Sequence, residues 1–132
     1  MYILEEEKAK YEALTTKGKK LLEEKKLFLD YATDERNIRV MKIVIARDED
    51  KLSTYDEAMK KVLKAKDATK QILLLKKLDR IRNDYEGHLH LAAITTASCG
   101  YLARYDQGFK GTQKAFLNAI TSGNLKKYSE DE

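Results

Sequence analysis

The chain has 132 residues, with 26 Lys and Arg against 22 Asp and Glu, a formal charge of +4, no proline and a mean hydropathy of −0.62. That length allows one domain with a core of its own, and 36% charged residues suit long helices with solvated outer faces better than a compact α/β enzyme. No apolar run reaches the roughly 18 residues that a bilayer span needs, the opening MYILEEEK lacks the layout of a secretory signal, and the lone Cys99 rules out an internal disulfide. The expectation is a protein of a reducing cytoplasm, or of the host cytoplasm if the source is viral. Gly18 is the only glycine before Gly87. With chain breakers so scarce, a few long helices should fill the first two thirds.

Residues 3 to 32 read as the first helix. Leu14, Leu21 and Phe28 fall seven apart, Leu22 and Leu29 widen the stripe, and Leu4 and Tyr11 extend it. Glu5 to Glu7 lie where the helix dipole favours anions, with Lys25 and Lys26 nearer the other end. Gly18 either admits a close neighbour or is tolerated at a cost of about 1 kcal/mol. Thr33 or Asp34 can cap the next helix, and so short a connection turns it back antiparallel.

The second helix has the cleanest period. Ile38, Ile45, Leu52 and Met59 fall seven apart, as do Met41, Asp48, Tyr55 and Val62, giving a coiled-coil seam with one carboxylate in it. Thr54 and Glu57 have capping-box spacing, so a break near 50 to 53 competes with a continuous helix; continuity is the expectation. Lys66 to Thr69 is the next corner, with Asp67 or Thr69 as cap. A third helix follows from about 69 to 98, with Leu74, Leu78, Ile81, Tyr85, Leu89 and Ala92 on one stripe. Leu73 and Leu75 fall off that stripe, which suggests cover on more than one face. Leu89 to Gly100 is almost uncharged and rich in small residues, the pattern of a tightly packed segment. Gly100, Gly108 and Gly111 then leave Tyr101 to Gln107 as a short helical piece or turn. A last helix spans 112 to 121 with Phe116, Leu117 and Ile120 on its apolar side. The expected organisation is one all-α domain over 1–123, an antiparallel bundle of three long helices and a short one, then a mobile polar tail over 124–132.

The charge is uneven. Lys60, Lys61, Lys64, Lys66, Lys70, Lys76, Lys77, Arg80 and Arg82 face only Asp67 and Asp79 within residues 60–82. That stretch carries +7, so the remainder of a +4 chain sums to −3. Lys76, Lys77 and Arg80 share a helix face, and such a row could neutralise phosphates of DNA or RNA without reading sequence. The competing readings are a solvated face, and pairing with Asp48 to Asp50 or Glu5 to Glu7. Tyr101, Tyr105 and Phe109 interleave with Arg104, Lys110 and Lys114, as bases would need for stacking, although packing against a helix uses the same spacing.

Metal and nucleophile chemistry find little support. Asp84 and His88, and Glu86 and His90, are i, i+4 pairs, but His88 and His90 point apart on a helix and cannot share an ion. Two partly exposed histidines, each near a carboxylate, are expected. Cys99 lies in an uncharged segment, as an inert buried thiol would. Lys17-Gly18-Lys19-Lys20 lacks the upstream glycine of a phosphate loop. No enzyme, cofactor or metal site is expected.

Gly108-Phe109, Phe116 and Ser122-Gly123 are loosely similar to the ends of small phage recombination-mediator proteins, which load recombinases on single strands. The similarity covers about the last quarter of the chain, and the middle does not follow that family. Three functions stay open: an oligomeric accessory protein holding nucleic acid on the basic stretch, an adaptor or inhibitor using it on an acidic protein, and a self-assembling structural protein. A homo-oligomer is expected through the seam Ile38, Met41, Ile45, Leu52, Tyr55, Met59 and Val62.

Overall fold

The computed structural model describes residues 2–125, with side chains from Leu4 onward. Four helices account for nearly all of them: α1 (Tyr2–Asp30), α2 (Glu35–Lys64), α3 (Ala68–Gln107) and α4 (Gln113–Thr121). Among the described residues there is no strand, and no helix is long and apolar enough to cross a membrane.

Each boundary has a local cause. The side chains of Asp34, Asp67 and Thr112 accept from the backbone N–H groups of Asn37, Lys70 and Ala115, closing the starts of α2, α3 and α4. Caps of this kind contribute about 1 kcal/mol each. Helix α2 is continuous through residues 50–53. The Thr54 hydroxyl donates back to the Asp50 carbonyl at 3.0 Å instead of capping a new helix, a bond open to any serine or threonine inside a helix.

Helix α3 departs from the sequence reading. It runs unbroken through Gly100 to Gln107, so Tyr101 to Gln107 is its last two turns and not a separate piece. A Cβ on Gly100 would sit 3.0 Å from the Phe28 ring, so this glycine serves a close helix–helix approach. The stop comes at Gly108, whose φ of 67° is left-handed. Gly108 N–H bonds the Tyr105 carbonyl at 3.1 Å and Phe109 N–H the Arg104 carbonyl at 2.9 Å. These two bonds satisfy carbonyls that the helix end would otherwise leave open.

Pairings between helices fix an up-down-up bundle. Glu7 meets Arg82, Lys25 meets Ala92 and Thr96, and Tyr31 meets Gln107, so α1 and α3 run parallel. Asn37 meets Asp106 and Lys51 meets Asp84, so α2 runs against α3. Two apolar clusters fill the inside. Tyr55, Met59, Val62, Leu78, Tyr85 and Leu89 pack toward the α2–α3 corner. Phe28, Met41, Cys99, Ala103 and Phe116 pack at the other end, where α4 folds over. Leu125, expected in a mobile tail, is half-buried and its carbonyl accepts from the Tyr31 hydroxyl at 3.3 Å. Residues 126–132 of that expected tail lie outside the described residues.

The residues expected as an oligomer seam are largely occupied within one chain. Met41, Ile45, Tyr55, Met59 and Val62 are buried, and Ile38 and Leu52 are half-buried. The reason is geometric: α1 and α3 both pack on the face of α2 that the seam defines, so no stripe is left there for a second copy.

Gly18 shows how tightly α1 and α3 meet. A Cβ there would overlap the Tyr85 hydroxyl and lie 3.3 Å from Leu89. Gly18→Ala is therefore expected to lose roughly 1–3 kcal/mol of stability through overpacking, although alanine is the better helix former. Tyr85→Phe, by removing the obstructing hydroxyl, should restore much of the loss when combined with it. Urea unfolding of the two single variants and the pair measures this.

Candidate functional site

Between the two apolar clusters lies a polar layer with one group from each long helix. The Lys25 ammonium on α1, fully buried, is 2.7 Å from Asp48 Oδ2 on α2. It also donates to the Ala92 carbonyl at 2.8 Å and to the Thr96 hydroxyl on α3. The ammonium is thus held by two hydrogen bonds and one ion pair. The second Asp48 oxygen is 2.8 Å from His88 Nε2 on α3, also buried. Because that oxygen belongs to a carboxylate already paired with an ammonium, Nε2 is the donor.

This layer corrects the reading of two residues. His88 is buried and bonded to Asp48, not half-exposed beside Asp84, which instead pairs with Lys51 at 2.9 Å. Lys25 lies inside the bundle and not at the dipole end of α1. The signal was present in the spacing: Leu14, Gly18, Leu21, Lys25 and Phe28 alternate by four and three, so Lys25 occupies a seam position. A cation in one seam needs an anion in another, and Asp48 was that anion. The same rule finds Glu7 and Arg82, both in seams and both buried.

The layer does not line a cleft, and its chemistry is closed. Among the described residues no three His, Cys, Asp or Glu side chains gather as metal ligands. Burial pushes the Cys99 thiol up, against a smaller opposing effect of Lys25, which keeps it from being a ready nucleophile. Burial likewise raises Tyr55 and Tyr85 to about 12.

The surface is different. Of the nine cations in residues 60–82, two have partners. Arg82 is withdrawn from the basic face: its Nε donates to Glu7 at 3.1 Å and its fork reaches Asp79 and Asn83. Lys60 is 3.1 Å from Asp56 and 3.9 Å from Glu57. The Tyr11 hydroxyl and Lys60 together hold the Asp56 carboxyl below its usual range. Lys61, Lys64, Lys66, Lys70, Lys76, Lys77 and Arg80 are exposed and make no ion pair among the described residues.

The α2–α3 turn sorts six of these seven into two groups, with Lys66 in the turn itself. Lys61 and Lys64 from α2 and Lys70 and Lys77 from α3 line two adjoining grooves that share Lys61 and Leu74. Ala58, Ala65 and Ile81 also line them, and Glu57, which lies 3.9 Å from Lys60, is the one carboxylate there among the described residues. Lys76 and Arg80 lie on another side of α3, in a cleft with Ile72, Leu75, Asp79 and Glu7. Lys76 and Lys77, read from sequence as one face, are therefore divided between two. The Glu7–Arg82 register also places the start of α1 about two turns short of the start of α3. The basic corner consequently projects as two helices alone, which leaves Leu63, Ile72 and Leu73 exposed.

The aromatic candidates do not join the cations. Tyr101 and Tyr105 are exposed, with ring centroids 6.5 Å apart, but they lie about 36 and about 42 Å along α3 from Lys77 at 1.5 Å per residue. Phe109 turns inward, 5.0 Å from the Phe116 ring.

Removing one member of the buried pair leaves a charge without compensation, which typically costs about 3–5 kcal/mol. Asp48→Ala and Lys25→Met are each expected to lose stability in that range. The double variant Lys25→Met, Asp48→Leu should lose less than the two singles summed. A double-mutant cycle by chemical unfolding measures the coupling.

No family model, no curated protein and no solved structure matches this chain, so the C-terminal resemblance gains no support and a functional reading rests on the chain's own geometry.

Proposed function

We propose that this chain is a non-enzymatic accessory protein that holds nucleic acid by its phosphates in the groove between the end of α2 and the start of α3. The observation that carries this reading is the convergence of Lys61, Lys64, Lys70 and Lys77, from two helices, around two adjoining grooves with no ion pair of their own among the described residues. Four like charges brought together on a folded surface repel one another, and a polyanion relieves that repulsion while releasing its own counterions. Lysine is a point charge that suits backbone contacts, and no bidentate base-reading group lines the groove. Binding is therefore insensitive to sequence.

The groove floor favours a second reading. Leu74, Ala58 and Ile81 beneath the lysines would also suit an acidic amphipathic helix of a partner protein. The two readings separate by salt, since a partner seated on the apolar floor stays bound where nucleic acid is stripped.

The test is charge reversal by side of the helix. A triple variant Lys64→Glu, Lys70→Glu, Lys77→Glu is expected to weaken binding to a labelled oligonucleotide on the order of 100-fold or more at low salt, with helix content unchanged because all three side chains are exposed. Lys76→Glu with Arg80→Glu, on the other side of α3, should cost much less. Equal losses from both variants, or no binding by the parent chain, would contradict the proposal.

A further inference from the structure

The outer face of α3, opposite its core face, changes character along its length. Near the corner it carries Lys76 and Arg80; from Gly87 to Tyr105 it has no charge at all. Gly87, Leu91, Ile94, Ser98, Tyr101 and Tyr105 recur there by steps of four, three, four, three and four. Ile94 is 64% exposed, Tyr101 59% and Tyr105 75%. We propose that this face is covered by the same face of a second copy of the chain, with the two α3 helices running antiparallel.

Three observations select that occupant and that direction. The alternating step is the pitch of a helix-on-helix seam, so the occupant is a helix crossing at a shallow angle, about 20°. The volumes match only one way. In antiparallel register Tyr105 of one copy lies over Gly87 of the other, where even an added Cβ would meet nothing within 4 Å. Tyr101 then lies over Leu91, and Ile94 over Ser98. A parallel pair would set Tyr105 on Tyr105 and leave Gly87 facing Gly87 across a gap.

Charge at the ends of the stripe agrees. Glu86, beside Gly87, is exposed and makes no ion pair among the described residues; beyond Tyr105, so are Lys110 and Lys114. The carboxylate between them, Asp106, is already turned to the backbone of Thr33 and Asp34 and the side chain of Asn37. An antiparallel pair brings Glu86 of each copy toward the Lys110 and Lys114 end of the other and keeps Lys76 and Arg80 of the two copies at opposite ends. A parallel pair would set the cations of both α3 starts side by side. The residues after Leu125, KKYSEDE, are mostly charged and offer no matching stripe. A two-fold pair of this kind is self-complementary and closes on itself.

This inference does not depend on nucleic-acid binding, and its test uses none. Light scattering on the size-separated chain is expected to give twice the 15.2 kDa of one chain. Ile94→Glu, which sets a carboxylate in an uncharged layer, should weaken the pair about 30-fold or more and leave the circular dichroism of the helices unchanged. For direction, Gly87→Cys protein mixed with Tyr105→Cys protein should cross-link under mild oxidation, while neither does so alone; the native Cys99 is buried and does not compete. A mass of one chain at the highest soluble concentration, or a pair indifferent to Ile94→Glu, overturns the proposal. Cross-linking by Tyr105→Cys alone overturns the antiparallel arrangement.

Discussion

The bundle depends on the contact between Lys25 and Asp48, an ion pair sealed between two apolar clusters and completed by His88 and Thr96. Burying two charges costs several kcal/mol in lost hydration, and their attraction offsets that only when every remaining hydrogen-bonding group is also satisfied. Here all three long helices contribute at once: the Lys25 ammonium bonds Ala92 and Thr96 and pairs with Asp48, whose other oxygen bonds His88. A slip of any helix by one turn would leave an ammonium or a carboxylate alone in the core, so the layer selects register more than it adds stability. The Glu7–Arg82 pair repeats the device nearer the corner.

That arrangement also shapes the surface. Inside the bundle, or along its seams, Glu7, Asp48 and Asp106 are each engaged by groups of the same chain. They are then not available to the lysines at the α2–α3 corner, which project beyond the start of α1 and stay unpaired among the described residues. A chain of only +4 thus presents a concentrated field at one end. Internal neutralisation of the cations was the competing expectation, and among the described residues only Arg82 and Lys60 of the nine are paired.

Much of the architecture was legible because helix signals are local. The α2 seam gave a continuous helix, and Asp34, Asp67 and Thr112 cap where short polar residues precede apolar runs. The errors came from reading single residues apart from their partners. Gly100 looked like a terminator, yet a lone glycine costs a helix about 1 kcal/mol, which the approach of Phe28 can offset. Lys25 looked like a surface cation because its counter-charge lies on another helix, 23 positions away in sequence. His88 was matched with its i, i+4 neighbour, whereas its partner is Asp48. Oligomer cover was sought on α2, where α1 and α3 already lie; the exposed stripe is on the outside of α3. Pairing charged seam positions across helices would have found both buried ion pairs.

The proposed grip of the unpaired corner lysines on phosphates has a direct signature in salt. The direct measurement is the binding of a labelled oligonucleotide by anisotropy across a series of salt concentrations. If four to seven lysines and arginines displace counterions, the logarithm of the association constant should fall linearly with the logarithm of salt, with a slope of about −3 to −6. A slope near zero, or no association at the lowest salt, would mean that these cations serve only to keep the protein in solution.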